Sequence, residues 1–209
     1  MAGAGHLGWR PGRAAGRVTP APPPALGPGR PLRIGSLCTG YGGLELAVTA
    51  VLDAEVAWYA EYDPHAAAVL AAQWPRLRNL GDITALDWAD VPPVDLITAG
   101  WPCQDISCAG LGSGLTKGTR SGLWHCIADG LRQLRPPYVF LENVTALRSR
   151  GLGTVLAGLA ALGYDAQWAC LRASDTGACH RRDRIFILAC QPAVGTLPAA
   201  AADPGRRCL

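Results

Sequence analysis

Between residues 32 and 190, short apolar runs alternate with amphipathic stretches. That rhythm predicts strands at 32–38, 55–60, 94–99, 138–142, 164–172 and 185–190, and helices at 43–52, 64–73, 121–134 and 151–161. Strand and helix in turn imply βαβ units, hence an α/β fold with a mostly parallel sheet covered on both faces. The last two strands follow each other with no helix between them, which predicts an antiparallel hairpin at one edge. Outside this span the periodicity stops. Residues 1–31 are rich in Pro, Gly, Ala and Arg, with Pro22-Pro23-Pro24, and read as a disordered tail. Residues 191–209 return to Pro, Ala and Gly and read as a low-complexity tail.

Composition narrows the picture only a little. At 209 residues, 49% of them hydrophobic and 17% charged, the chain suits one globular domain with a real core. No window holds the uninterrupted apolar stretch of a membrane span, and the amino terminus lacks the apolar core of a secretion signal. Eight cysteines without a C-x-x-C pair fit reduced thiols, and therefore a cytoplasmic location. Neither Cys103/Cys108 nor Cys179-His180 has finger-like spacing, so no metal is expected. The net charge of +3 is a weak signal for nucleic acid. Eighteen of the nineteen basic residues are arginine, a bias that fits a GC-rich genome and discounts each arginine as evidence for phosphate binding. Arg10, Arg13, Arg17, Arg30 and Arg33 make a basic tail that is expected to be solvated.

The candidate chemistry sits at strand ends. The apolar run 94–101 is followed at once by Pro102-Cys103-Gln104 and a glycine-rich polar loop to Arg120. A cysteine released at the carboxyl end of a strand in an open α/β sheet stands where ligands bind. On a loop, behind a stiffening proline, it reads as a nucleophile. The first strand runs into Ser36-Leu37-Cys38-Thr39-Gly40-Tyr41-Gly42-Gly43-Leu44-Glu45, a tight turn that aims a helix amino terminus at a ligand. A dinucleotide fingerprint would need glycine at position 45. Glu45 near the mouth would repel pyrophosphate, so a nucleoside with a less anionic tail is expected.

Glu61-Tyr62-Asp63 closes the second strand about twenty residues later, where an acid hydrogen-bonds ribose and an aromatic ring stacks on a purine. Glu61 is assigned the ligand role, and Asp63, ahead of Pro64, a helix cap. Gly81-Asp82-Ile83-Thr84 would add a contact to the base. Glu142-Asn143-Val144 follows a buried strand and emerges at the same edge as Cys103, a carboxylate able to bind and protonate a substrate. His180-Arg181-Arg182-Asp183-Arg184 leads into the last strand. Strand alternation would put Arg182 and Arg184 on one face, pointing at an anionic site.

In motif content and order these segments resemble the DNA (cytosine-5)-methyltransferase family. The resemblance spans about residues 32–190. Pro102-Cys103-Gln104 matches the catalytic motif, Glu142-Asn143-Val144 the acid motif, and His180-Arg181-Arg182-Asp183-Arg184 an arginine motif with histidine in place of glutamine. At Tyr62 the family more often carries tryptophan. The resemblance implies an S-adenosylmethionine-dependent Rossmann-like methyltransferase fold. It implies cofactor contacts at Cys38, Gly40, Gly42, Gly43, Glu61, Tyr62, Asp82, Ile83 and Pro102. The catalytic set would be Cys103, Glu142, Arg182 and Arg184, with Gln104, Ser107, Asn143 and Val144 touching a cytosine flipped out of double-stranded DNA. Cys103 would add to C6 and C5 would take the methyl group, as in restriction-modification or phage enzymes. Nothing after Cys190 resembles the family's target-recognition region or its last two motifs. The expectation is therefore a catalytic half: one subunit of a split enzyme whose recognition region is carried by a second polypeptide, or a truncated enzyme, as a gene fragment or a frameshift would leave. The alternatives are a non-catalytic S-adenosylmethionine- or DNA-binding remnant and an RNA cytosine-5 methyltransferase.

Overall fold

The computed structural model describes residues 29–102, 123–192 and 194. The expected tails, apart from residues 29–31, 191, 192 and 194, and the loop bearing Cys103, Gln104 and Ser107 lie outside the described residues. Six strands form one sheet: β1 (Leu32–Leu37), β2 (Ala54–Ala60), β3 (Leu96–Gly100), β4 (Tyr138–Val144), β5 (Asp165–Arg172) and β6 (Asp183–Cys190), in the order β2-β1-β3-β4-β6-β5. The first four run parallel, while β6 is antiparallel to both β4 and β5. The expected hairpin is present, with its second strand turned inward, so β5 forms the edge. The helices are α1 (Gly43–Val51), α2 (Pro64–Gln73), α3 (Leu123–Leu134), α4 (Leu147–Arg150) and α5 (Leu152–Ala161).

Alternation along the strands divides the core. Ile97, Val139, Leu141, Ile185 and Ile187 face Ile127 and Leu131 of α3 and Val155 and Leu159 of α5, all buried. Each such side chain contributes roughly 2 kcal/mol by leaving water. On the opposite face Ile34, Leu96 and Tyr138 pack against Val48 of α1. Among the described residues this second face stays open toward β5. Phe140 and Phe186 stack there at 5.9 Å, and Leu171 beside them is 53% exposed. The expectation of a sheet covered on both faces therefore holds for its parallel half and not for its antiparallel edge.

Local chemistry sets the joints. Asp63 caps α2 by accepting from the His65 and Ala66 amides (3.0 and 2.8 Å), with Pro64 in the first turn. α3 stops where Arg135 turns left-handed (φ 48°) ahead of Pro136-Pro137. The β1–β2 register shifts at Gly35, where a Cβ would lie 2.2 Å from the Trp58 ring. That missing side chain lets the indole lie across the strand and donate Nε1–H to the Pro92 carbonyl (2.9 Å). At the amino end of β3, Asp95 is clasped by both terminal nitrogens of Arg30 (2.6 and 2.8 Å) and by the Arg33 amide (2.8 Å). Burial pushes the Asp95 carboxyl up, but the hydrogen bonds and positive charge of Arg30, with the Arg33 amide, outweigh it and hold it below the usual carboxylate range.

Candidate active site at the carboxyl edge of the sheet

After β1 the chain goes outward to β2, then crosses back to β3 on the other side of β1. The sheet therefore has its topological switch point between β1 and β3, where a crevice opens beyond the strands' carboxyl ends. Every described residue singled out for chemistry lies at or near that edge. The β1 turn begins at Cys38 (φ 51°), continues through Gly40 (φ 59°), and reaches Gly42 (φ 79°), which caps α1 ahead of Gly43. The left-handed value at Gly42 needs glycine, and a Cβ there would meet Trp74 at 2.9 Å, so the turn rests on an indole floor. At Gly40 and Gly43 a Cβ would meet nothing within 4 Å. Those two backbone positions border open space, as a cradle for a ligand requires.

Glu61 braces this turn. Its Oε2 accepts from the Gly40 amide and its Oε1 from the Asp63 amide, both at 2.7 Å. A carboxylate has about four acceptor sites, so bracing leaves room for ligand hydroxyls. Tyr62 beside it is 77% exposed, a ring free to stack. Asn79 ties the next segment in, accepting from the Glu61 and Gly81 amides (3.0 and 2.9 Å) and donating to the Glu61 carbonyl (3.1 Å). Asp82 accepts from the Thr84 amide and hydroxyl (2.9 and 2.8 Å), and Ile83 is buried. Sequence reasoning passed over Asn79. Its signal was an amide side chain two residues before a glycine, the pattern of a side chain that bonds its own turn.

On the other side of the switch point β3 ends at Gly100, Trp101 is buried and Pro102 is exposed. Asn143 of β4 donates to the Trp101 carbonyl (2.8 Å), and its own carbonyl oxygen accepts from the Val144 amide (2.8 Å). The peptide leading to Cys103 is thereby fixed to β4. Glu142 pairs across the sheet with Gly100, where a Cβ would stand 3.4 Å from Glu142 Oε2. Arg184 of β6 forms an ion pair with Glu142, its Nε 2.7 Å from Oε1, both side chains being about one quarter exposed. Val144 sits opposite Arg184 in the same ladder. The sequence expectation for Arg182 fails: β6 starts at Asp183, and Arg182 is exposed with φ 37°, outside the strand alternation. A left-handed residue breaks the two-residue period that would have carried both arginines to one face.

Glu45 also differs from its expected place. The sequence puts it near the mouth; the structure buries it, 1% exposed, beneath the first turn of α1. The serine and threonine hydroxyls that hold it, Ser36 and Thr98, were not singled out in sequence, because nothing local links positions 36, 45 and 98. Among the described residues no group of three or more metal-type side chains comes together. None of the described helices is long and apolar enough to cross a membrane.

Residues 32–199 match the profile of the family described as C-5 cytosine-specific DNA methylase. Among curated proteins the chain is similar to the type II methyltransferase M.NgoBI of Neisseria gonorrhoeae, 35% identical over 156 residues, 73% of this chain and 48% of that one. It is also similar to the type II methyltransferase M2.BsuMI of Bacillus subtilis, 33% identical over 76% of this chain and 42% of that one. The chain thus spans about half the length of these relatives. Among solved structures, DNMT2 of Spodoptera frugiperda superposes with a TM-score of 0.68 at 22% identity, over 82% of this chain and 54% of that one. A putative DNA modification methyltransferase encoded within an Escherichia coli prophage superposes with a TM-score of 0.61 at 26% identity, over 78% of this chain and 47% of that one.

Proposed function

The chain belongs to the C-5 cytosine-specific DNA methylase family, and from that premise we propose that it is the catalytic and cofactor-binding half of an enzyme that methylates C5 of cytosine in double-stranded DNA. The observation that carries the reading is the Glu142–Arg184 pair, 2.7 Å apart, beside Gly100 at the switch point and next to the segment leading to Cys103.

The open positions at Gly40 and Gly43, the braced turn and the exposed Tyr62 fit S-adenosylmethionine. Glu61 would accept from its ribose, Tyr62, Asp82 and Ile83 would border its adenine, and the 38–43 turn with Pro102 would border its amino-acid end. When bound, the cofactor supplies an electrophilic methyl group. The Cys103 thiolate adds to C6 of a cytosine drawn out of the duplex, which makes C5 nucleophilic. Glu142, carrying a proton, donates it to N3 as negative charge develops there and accepts from the exocyclic amine with its other oxygen, and Arg184 orients that carboxyl group. Once C5 carries the methyl group, its bond to the donor sulfur broken and S-adenosylhomocysteine left behind, a base removes the C5 proton and the sulfur–C6 bond breaks, returning the Cys103 thiolate. Gln104, Ser107, Asn143, Val144 and Arg182 are assigned to the surroundings of the flipped base.

Base readout needs side chains delivered into a groove. The curated relatives are about twice as long as the part this chain matches; we propose that readout is supplied by residues outside this sequence, a second polypeptide being one carrier, in a restriction-modification setting in the cytoplasm. The test is methyl transfer from labelled S-adenosylmethionine to unmodified GC-rich duplex, by the chain alone and with the product of the adjacent reading frame. Label that requires both polypeptides and vanishes in Cys103→Ala is the expected result. Site-specific transfer by the chain alone would overturn the split. No label and no covalent adduct to a 5-fluorocytosine duplex in either case would make the chain a binding remnant, and preference for a transfer RNA would make RNA its substrate.

A further inference from the structure

Glu45 is a buried acid for which the proposed reaction has no step. Its Oε1 accepts from the Ser36 hydroxyl (2.8 Å) and the Thr98 hydroxyl (2.6 Å), while Oε2 is buried without a partner. Ser36 Oγ also lies 2.8 Å from Thr39 Oγ1, which reaches the Ala60 carbonyl at 3.4 Å. This short chain of polar groups joins four places: the end of β1, the glycine turn, the first turn of α1, and β3. Ser36 pairs directly with Thr98 across the β1–β3 ladder, so the chain spans the switch point itself.

Stability alone does not explain such an arrangement. A carboxylate taken out of water with half its acceptor capacity unused is a cost, and apolar replacements of buried polar clusters are often neutral or stabilising. The amino terminus of α1 offsets part of that cost through its dipole and no more. What the cluster uniquely provides is a fixed relation between two segments. One is the turn that would cradle the cofactor; the other is the strand that ends two residues before Pro102. Packing of methyl groups would hold these strands together without fixing the height of the turn above them.

We infer that Glu45 is a positioning residue for the cofactor. By accepting from Ser36 and Thr98 it locks the 38–43 turn to β3, and so sets where the turn's amides meet the cofactor's amino-acid end. This inference rests on the S-adenosylmethionine reading above, and the experiment separates the two. S-adenosylhomocysteine binding is measured by calorimetry, beside the thermal midpoint, for the full chain and three variants. The combined variant Ser36→Ala, Glu45→Leu, Thr98→Val removes every partner at once. It is expected to melt at or above the parent temperature yet bind about tenfold more weakly or worse. Glu45→Gln keeps an acceptor oxygen and is expected to restore affinity to within about threefold of the parent. Thr98→Val, nearly isosteric, covers the case in which the combined variant does not fold, and is expected to lose affinity by about three- to tenfold. Parent-like affinity in the combined variant, or in Thr98→Val if the former is unfolded, overturns the inference. So does a Glu45→Gln chain as weak as the combined variant. A parent chain that binds no S-adenosylhomocysteine overturns the cofactor reading itself, and the inference with it.

Discussion

Arg184 and Glu142 show what one pair of side chains decides. Their 2.7 Å contact is made through Nε of a planar guanidinium, which leaves the outer nitrogens of Arg184 directed elsewhere. Lysine offers a point charge on a flexible stem and cannot reproduce that fork. In the assembled enzyme, Arg184→Lys is therefore expected to lower kcat by about tenfold and Arg184→Met by about a hundredfold, with KM for DNA nearly unchanged. Single-turnover methyl transfer would check this, and a loss confined to KM would contradict it. The same residues mark a limit of sequence reading. That Arg184 belongs to a strand was legible from Ile185-Phe186-Ile187; that Arg182 leaves the strand through a positive φ was not, since a run of polar residues carries no signature of a backbone turn.

At the level of elements, the sheet was readable where it is apolar. Each of the six expected strands and four expected helices is present, with ends displaced by up to two residues, because apolar runs bounded by Gly and Pro report burial directly. The order of the strands was less readable. Placing β6 between β4 and β5 depends on the pairing of residues 44 positions apart, as Glu142 with Phe186, and no local pattern encodes that. The three-residue turn at Trp88–Asp90 and the short α4 also escaped, being too brief for a helical period. Between β1 and β2 the seat of Trp58 on Gly35 gives a direct test. Gly35→Ala puts a methyl group into a ring that is hydrogen-bonded and cannot retreat freely, so a loss of about 1–3 kcal/mol is expected in urea unfolding. An unchanged midpoint would mean that the indole has room to move.

Across the whole molecule the two ends of the sheet divide the work. The carboxyl edge carries the braced turn, Glu142 and Arg184; the amino edge carries the clasp of Arg30 and Arg33 on Asp95, far from any candidate chemistry. The clasp holds the Asp95 carboxyl below its ordinary value. Its contribution is therefore complete above the ordinary carboxylate range and fades as pH falls through the folded-state value. Asp95→Asn is expected to cost about 1–2 kcal/mol at pH 7. The deficit should shrink on acidification, while S-adenosylhomocysteine affinity at pH 7 stays at the parent level. Equal deficits at pH 7 and pH 3 in denaturant titrations would show that the charge of Asp95 does not matter.

The Glu61 brace has a consequence for how this surface changes over evolutionary time. Its two bonds go to the amides of residues 40 and 63, and not to any neighbouring side chain. The brace asks only for main-chain amides, so selection acting on it bears on a single acid and not on the side chains of Tyr41 and Tyr62. Tyr41 and Tyr62, both well exposed beside it, can then be exchanged to retune what the crevice accepts without loosening the turn that frames it.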